Sequence, residues 1–109
     1  MYKLIRDKIP ELVAAADAEN KQRFDYAAVQ NDGFYKDLLK AKLVEEVTEF
    51  LQSGEVEELV DVLTVVNTLV KVLGVKDEDF KKLYDIKLNE KGGFEKGFIA
   101  FFPDQGTEE

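Results

Sequence analysis

The stretch Lys42-Leu-Val-Glu-Glu-Val-Thr-Glu-Phe-Leu-Gln-Ser-Gly-Glu-Val-Glu-Glu-Leu-Val-Asp-Val62 decides the fold. Gln52-Ser53-Gly54 breaks it into two helical halves, with Gly54 as the helix C-cap. So short a connection makes the two helices antiparallel neighbours. Four acids stand out: Glu46 and Glu49 before the break, Glu58 and Asp61 after it. At about 100° per residue, Glu46 falls within about 20–60° of Leu39, Leu43 and Phe50, in the middle of an apolar stripe. Glu58 and Asp61 flank the line of Val62, Val65 and Leu69 in the same way, while Glu49 lies at the stripe's edge. Folding the chain about the midpoint of Ser53 and Gly54 sets Glu49 level with Glu58 and Glu46 level with Asp61, since both pairs of numbers sum to 107. A spacing of three stacks the two acids of each helix on one face.

Carboxylates on a core-facing stripe are costly unless cations or hydrogen bonds compensate them. Four of them gathered between two helices point to a divalent metal site. All-oxygen ligation of this kind suits Mg²⁺ or Mn²⁺ rather than zinc. The competing reading is partly exposed salt-bridging on a loose two-helix face.

Working outward, Ile9-Pro10-Glu11 opens a first helix over about 10–20. Residues 21 to 32 are polar and mixed, and Tyr26-Ala27-Ala28-Val29 fits a short strand or a helical turn equally well. Asp32 or Gly33 caps a second helix over about 34–52. A third spans about 55–73 and stops at Gly74, and Asp77 caps a fourth over about 77–90. Lys91-Gly92-Gly93 ends it, and Phe94 to Phe102 reads as an extended segment, a strand or hairpin arm, before Pro103. The third helix carries Leu59, Val60, Val62, Leu63, Val65, Val66, Leu69, Val70, Val72 and Leu73 around nearly its whole circumference. A helix apolar on all sides is buried on all sides. A single small chain cannot cover it, which predicts a homodimer or higher homo-oligomer. The fold class expected is therefore all-α: a four- to five-helix bundle completed by dimerisation, with a short extended C-terminal segment. Residues 1–103 form one domain and 104–109 a polar tail.

Composition narrows the function. A net charge of −8 disfavours duplex nucleic acid as a partner. The absence of histidine removes a histidine base and any Glu-x-x-His di-iron pattern. No cysteine means no disulfide framework. No apolar run is long enough for a membrane span, and the start lacks a signal-peptide core, so a cytoplasmic location is expected.

Lys42-Leu-Val-Glu-Glu-Val-Thr-Glu-Phe followed by Glu57-Glu-Leu-Val-Asp-Val resembles the signature of the all-α nucleoside triphosphate pyrophosphohydrolases, the MazG-like and phosphoribosyl-ATP pyrophosphohydrolase-like proteins. The opening Lys3-Leu-Ile-Arg-Asp-Lys-Ile-Pro-Glu and the later Lys91-Gly-Gly-Phe are similar to a small single-domain branch of that group. The resemblance implies that helices from two subunits build the core and active sites. It also implies that the E-x-x-E and E-x-x-D acids bind Mg²⁺. The implied reaction cleaves a nucleoside triphosphate between its α and β phosphates, giving monophosphate and pyrophosphate, as nucleotide-pool house-cleaning. The histidine and further phosphate-binding motifs of the histidine-pathway enzymes are missing, which argues against phosphoribosyl-ATP itself.

On this reading Glu46, Glu49, Glu58 and Asp61 are the metal ligands. Glu46, Glu49 and Glu45 are the catalytic candidates, Glu45 as base or as an outer partner of the ligands. Lys42, Arg6, Lys8 and Lys91 are the phosphate-binding candidates. Thr68, two turns beyond Asp61, is a further candidate for the pocket wall. The reading from another class is a non-catalytic helical dimer that binds nucleotide or metal as a sensor or regulator.

Overall fold

A computed structural model describes residues 3–15 and 24–103. Four helices form in the order α1 (Ile9–Ala15), α2 (Asp32–Ser53), α3 (Val56–Val72) and α4 (Asp77–Lys91). Among the described residues there is no strand, so the chain is all-α. Among the described residues no helix is long and apolar enough to cross a membrane. The chain divides into two compact units, Met1–Val75 and Lys76–Glu109.

The first unit holds the hairpin of α2 and α3, which pack on each other. Two residues separate the helices, and the chain reverses there because Gly54 adopts φ 71°, ψ 7°, with its N–H donating to the Phe50 carbonyl at 2.7 Å. The Ser53 hydroxyl accepts from the Glu55 N–H at 3.0 Å and so fixes the entry to α3. A Cβ at Gly54 would meet nothing within 4 Å, so the position demands glycine for its dihedral angle rather than for space. We expect Gly54→Ala to cost about 1 kcal/mol, the left-handed penalty of an L-residue. Urea unfolding checks it, and a loss below a few tenths would mean that the reversal has shifted to another residue.

The other helix ends follow equally local rules. Asn31, rather than Asp32 or Gly33, caps α2: its side chain accepts from the Phe34 N–H at 2.8 Å, and Asp32 becomes the first helical residue. The Asn31 backbone sits in the extended region a cap requires. At the end of α3, the Gly74 N–H reaches the Lys71 carbonyl at 2.9 Å and the Val75 N–H reaches the Val70 carbonyl at 3.1 Å, a Schellman pair around a left-handed glycine. Asp77 does not cap α4. Lys76 holds that position without a side-chain bond, and Asp77, Glu78 and Asp79 fill the first turn, where their charges meet the positive end of the helix dipole.

The first helix begins at Ile9 and is described to Ala15, so the rest of the predicted 10–20 span lies outside the described residues. Pro10 sits in its first turn, where the missing N–H costs no helical bond. Tyr26 to Val29 is neither strand nor helix. Phe94 to Phe102 is also not a strand: it opens with a turn closed by the Gly97 N–H on the Phe94 carbonyl and continues without regular structure. The apolar run alone suggested a strand or hairpin arm, but a strand needs a second strand to accept its backbone bonds, and none is offered among the described residues. The tail 104–109 lies outside the described residues.

The interior of the hairpin is narrow. Leu39 of α2 and Val65 and Val70 of α3 are buried, and Glu46 is buried with them. The pairing rule sets Leu39 level with position 68, between those two valines. The opposite flank of α3 is open in this chain, with Val60 at 60% and Leu63 at 58% exposure and Leu59 at 45%. The near-continuous apolar surface of α3 thus exceeds what α2 covers.

Candidate metal centre

Glu46 is the unusual residue of the hairpin. It is 6% exposed, so its carboxylate has left water. Oε2 accepts an ion pair from Lys42 Nζ, one helical turn earlier, at 3.2 Å. Oε1 is enclosed and accepts no hydrogen bond among the described residues. A buried carboxylate oxygen without a donor is costly. It is also what a ligand oxygen looks like before its cation is supplied.

The neighbours of Glu46 support the second description. Glu46 of α2 and Glu58 and Asp61 of α3 each offer a carboxylate oxygen, and the three atoms lie within 4.8 Å of one another. Glu58 and Asp61 are half-buried. The hairpin produces this because Glu58 and Asp61 stand three apart on the face of α3 turned to α2, with Asp61 level with Glu46. The donor set is all carboxylate, which fits a hard divalent cation such as Mg²⁺ or Mn²⁺. Exposed acidic groups often gather without an ion, so the burial of Glu46 and its orphaned oxygen carry the weight here.

The remaining predicted residues fall into distinct places. Glu49 is exposed and stands outside the group of three. It sits at the edge of the stripe, where a small rotation of α2 decides between seam and rim. Glu45 is half-buried and pairs with Lys42 at 3.4 Å and with Lys3 at 3.1 Å. Arg6 pairs with Asp61 through Nη2 and Oδ1, and the same nitrogen reaches Thr64 Oγ1 at 3.4 Å. Lys8 is exposed in the turn before α1, and its carbonyl accepts the Leu12 N–H at 3.0 Å. Lys91 is exposed in the last turn of α4, in the second unit. Gly92 follows it as the helix C-cap, at φ 79°, and no helix comes after among the described residues. Thr68 spends its hydroxyl on the Thr64 carbonyl at 3.1 Å.

Two residues at this centre escaped the sequence reading as site members. Lys3 binds Glu45 from 42 positions away, and no spacing rule reaches that far. Thr64 was legible: it stands three residues after Asp61 and therefore on the same face.

The cations set the charge state of Glu45. Partial burial is the largest single influence and pushes its carboxyl up. The hydrogen bond and charge of Lys3, together with Lys42, outweigh it and hold the group below its ordinary value. Lys3 is raised in turn, chiefly by the hydrogen bond and charge of Glu45, with smaller help from Glu49 and Glu46. The signs give a window. The depressed carboxyl contributes stability above its unfolded value near about 4.3, which is lost as pH falls through the folded value. The raised ammonium contributes below about 10.4, and that is lost as pH rises through its folded value. We expect Lys3→Met to move the Glu45 carboxyl midpoint upward in a ¹³C titration, because burial then faces Lys42 alone. An unmoved midpoint would mean that the Lys3 pair is not formed in solution.

No family model, no curated protein and no solved structure matches this chain.

Proposed function

We propose that the chain is a Mg²⁺-dependent nucleoside triphosphate pyrophosphohydrolase, which hydrolyses the α–β phosphoanhydride to monophosphate and pyrophosphate. One observation carries the reading: Glu46 is buried, keeps one oxygen without a donor among the described residues, and shares a 4.8 Å group with Glu58 and Asp61. The resemblance of Lys42 to Phe50 and Glu57 to Val62 to the all-α pyrophosphohydrolases supplies the substrate class.

In this proposal Glu46, Glu58 and Asp61 hold the cation, and Glu49, exposed on the next turn from Glu46, is the fourth candidate ligand. A divalent ion supplies charge to the phosphate oxygens and an activated water when bound. Lys42 fixes Glu46 in place and offsets its charge. Glu45, held ionised by two lysines, suits the orientation of Lys42 better than it suits proton uptake. Arg6, as a planar fork of donors, and Lys8, as a point charge, lie on the N-terminal stretch as candidates for the phosphate chain. The open flank of α3 supports a second copy of the chain over Val60 and Leu63, which makes the working unit a homodimer or higher homo-oligomer.

The second reading is a non-catalytic helical dimer that senses nucleotide or metal. It is favoured by Lys42 and Arg6, which already compensate two of the three acids without any ion. The separating experiment is pyrophosphate release from a panel of ordinary and modified ribo- and deoxyribonucleoside triphosphates, with Mg²⁺ and with chelator. The expected result is chelator-sensitive release from part of the panel. No release from any triphosphate, with Mg²⁺ still raising the melting temperature, would leave the sensor standing and remove the enzyme.

A further inference from the structure

We propose that Arg6 is an exchangeable counter-ion of the acidic group: it holds Asp61 while no metal is bound and releases it when a divalent cation enters. The proposal rests on the metal reading given above and concerns how the site is kept in its absence.

Three carboxylate oxygens within 4.8 Å repel one another, so the empty arrangement needs positive charge nearby. Among the described residues Lys42 and Arg6 pair directly with the group, and they are held very differently. Lys42 is 16% exposed and pairs with a nearly enclosed Glu46, on the same helix and one turn away. Breaking that pair would strand a buried charge, so Lys42 stays. Arg6 is 53% exposed, and its partner Asp61 is 34% exposed. A pair so open to water is weak and readily broken. Its arginine comes from a stretch without regular structure, 55 residues away in sequence. The second contact of Arg6, to Thr64 Oγ1, is long at 3.4 Å, and that hydroxyl already donates to the Val60 carbonyl at 2.8 Å.

A divalent ion coordinated by Asp61 and the guanidinium on Asp61 Oδ1 would compete for the same carboxylate and repel each other. The arginine is the one that yields, because it loses least. Lys3, three residues earlier, pairs with Glu45, which lies outside the group of three. That pair is about as open to water, but Glu45 is not one of the three acids, so an entering ion does not compete for it. The displaced guanidinium then stands near the ion with its donors available to phosphate oxygens.

The test uses Mn²⁺ alone, without nucleotide, on the full chain. Free Mn²⁺ is followed by electron paramagnetic resonance for the wild type, Arg6→Gln, Lys3→Gln and Glu46→Gln. Removing an exposed competitor should tighten binding by about two- to fivefold in Arg6→Gln. Lys3→Gln should change it little, and Glu46→Gln should abolish it. In parallel, the Arg6 guanidinium ¹⁵N–¹H signal of the unmutated protein should move toward that of solvated arginine as Mg²⁺ is added.

Equal or weaker binding in Arg6→Gln, with binding still abolished in Glu46→Gln, would overturn the exchange and leave the metal site intact. Equal tightening in Lys3→Gln would overturn it too, since the effect would then be general charge removal. Absence of Mn²⁺ binding in both the wild type and Arg6→Gln would overturn the metal reading and this inference together. An Arg6 signal unmoved at saturating Mg²⁺ would overturn the exchange without reference to any variant.

Discussion

Glu46→Gln should lower Mg²⁺-dependent pyrophosphate release by about a thousandfold, or about 4 kcal/mol of transition-state stabilisation, in a protein that remains folded. The substitution changes one atom and one charge. The amide oxygen can keep the Lys42 contact, and the amide nitrogen takes the place of Oε1, which has no donor among the described residues. An amide nitrogen donates, and the oxygens of Glu58 and Asp61 close by accept. One of three mutually repelling charges is gone. The variant should therefore melt no lower than the metal-free wild type, and Mg²⁺ should no longer raise its melting temperature. Loss of turnover with retained stability places Glu46 in the chemistry rather than in the scaffold. Glu49→Gln is the comparison, because Glu49 is exposed and outside the group. Its loss should be at most about tenfold if three carboxylates suffice. A loss equal to that of Glu46→Gln would mean that the bound ion draws Glu49 in as a fourth ligand. Full turnover in Glu46→Gln would end the enzyme assignment as drawn.

The hairpin that carries these acids was legible because its determinants are local. Gly54 gives the reversal, and the two-residue connection gives antiparallel neighbours. The sum rule then sets Asp61 opposite Glu46, and the structure gathers those two with Glu58. Two kinds of information were not local. The rotation of α2 about its axis decides whether Glu49 faces the seam or the rim. A helical wheel does not fix that angle, which depends on how α2 packs against α3. The partners Lys3 and Arg6 come from a stretch with no periodicity, 42 and 55 residues from the acids they meet. Only the path of the folded chain brings them there. The third helix was legible in a further sense. Its apolar circumference exceeds what α2 covers, and Val60 and Leu63 are open in the structure while Val65 and Val70 are closed. The reading of Phe94 to Phe102 as a strand or hairpin arm failed for the converse reason: apolar content marks what should be covered and does not supply a backbone partner.

Lys42→Met should destabilise the metal-free protein by about 3 kcal/mol, the low end for breaking a buried pair because Lys42 keeps 16% exposure. Methionine preserves most of the length and apolar stem, so packing changes little and charge changes most. Lys42 serves two carboxylates, Glu46 at 3.2 Å and Glu45 at 3.4 Å. Glu45 keeps Lys3 and is spared. Glu46 keeps nothing: one oxygen has no donor already, and the other loses its only ion pair among the described residues. A nearly enclosed carboxylate would then stand within a group of three acids, with Arg6 on Asp61 as the one direct ion pair to the group among the described residues. Two further measurements isolate the cause. The double variant Lys42→Met with Glu46→Leu should recover most of the loss, since removing both charges together is often neutral or stabilising. Saturating Mg²⁺ should also restore Lys42→Met more than it stabilises the wild type, because the ion replaces the missing positive charge at Glu46. Urea unfolding of the three proteins, with and without Mg²⁺, reads all of these differences. A Lys42→Met loss below about 1 kcal/mol would show that the pair behaves as an exposed one and that Glu46 is better solvated than its 6% exposure implies. Recovery in the double variant without recovery by Mg²⁺ would show that the buried charge is real but that the group takes no metal. Because the readout is stability, this comparison tests the acidic centre independently of any substrate.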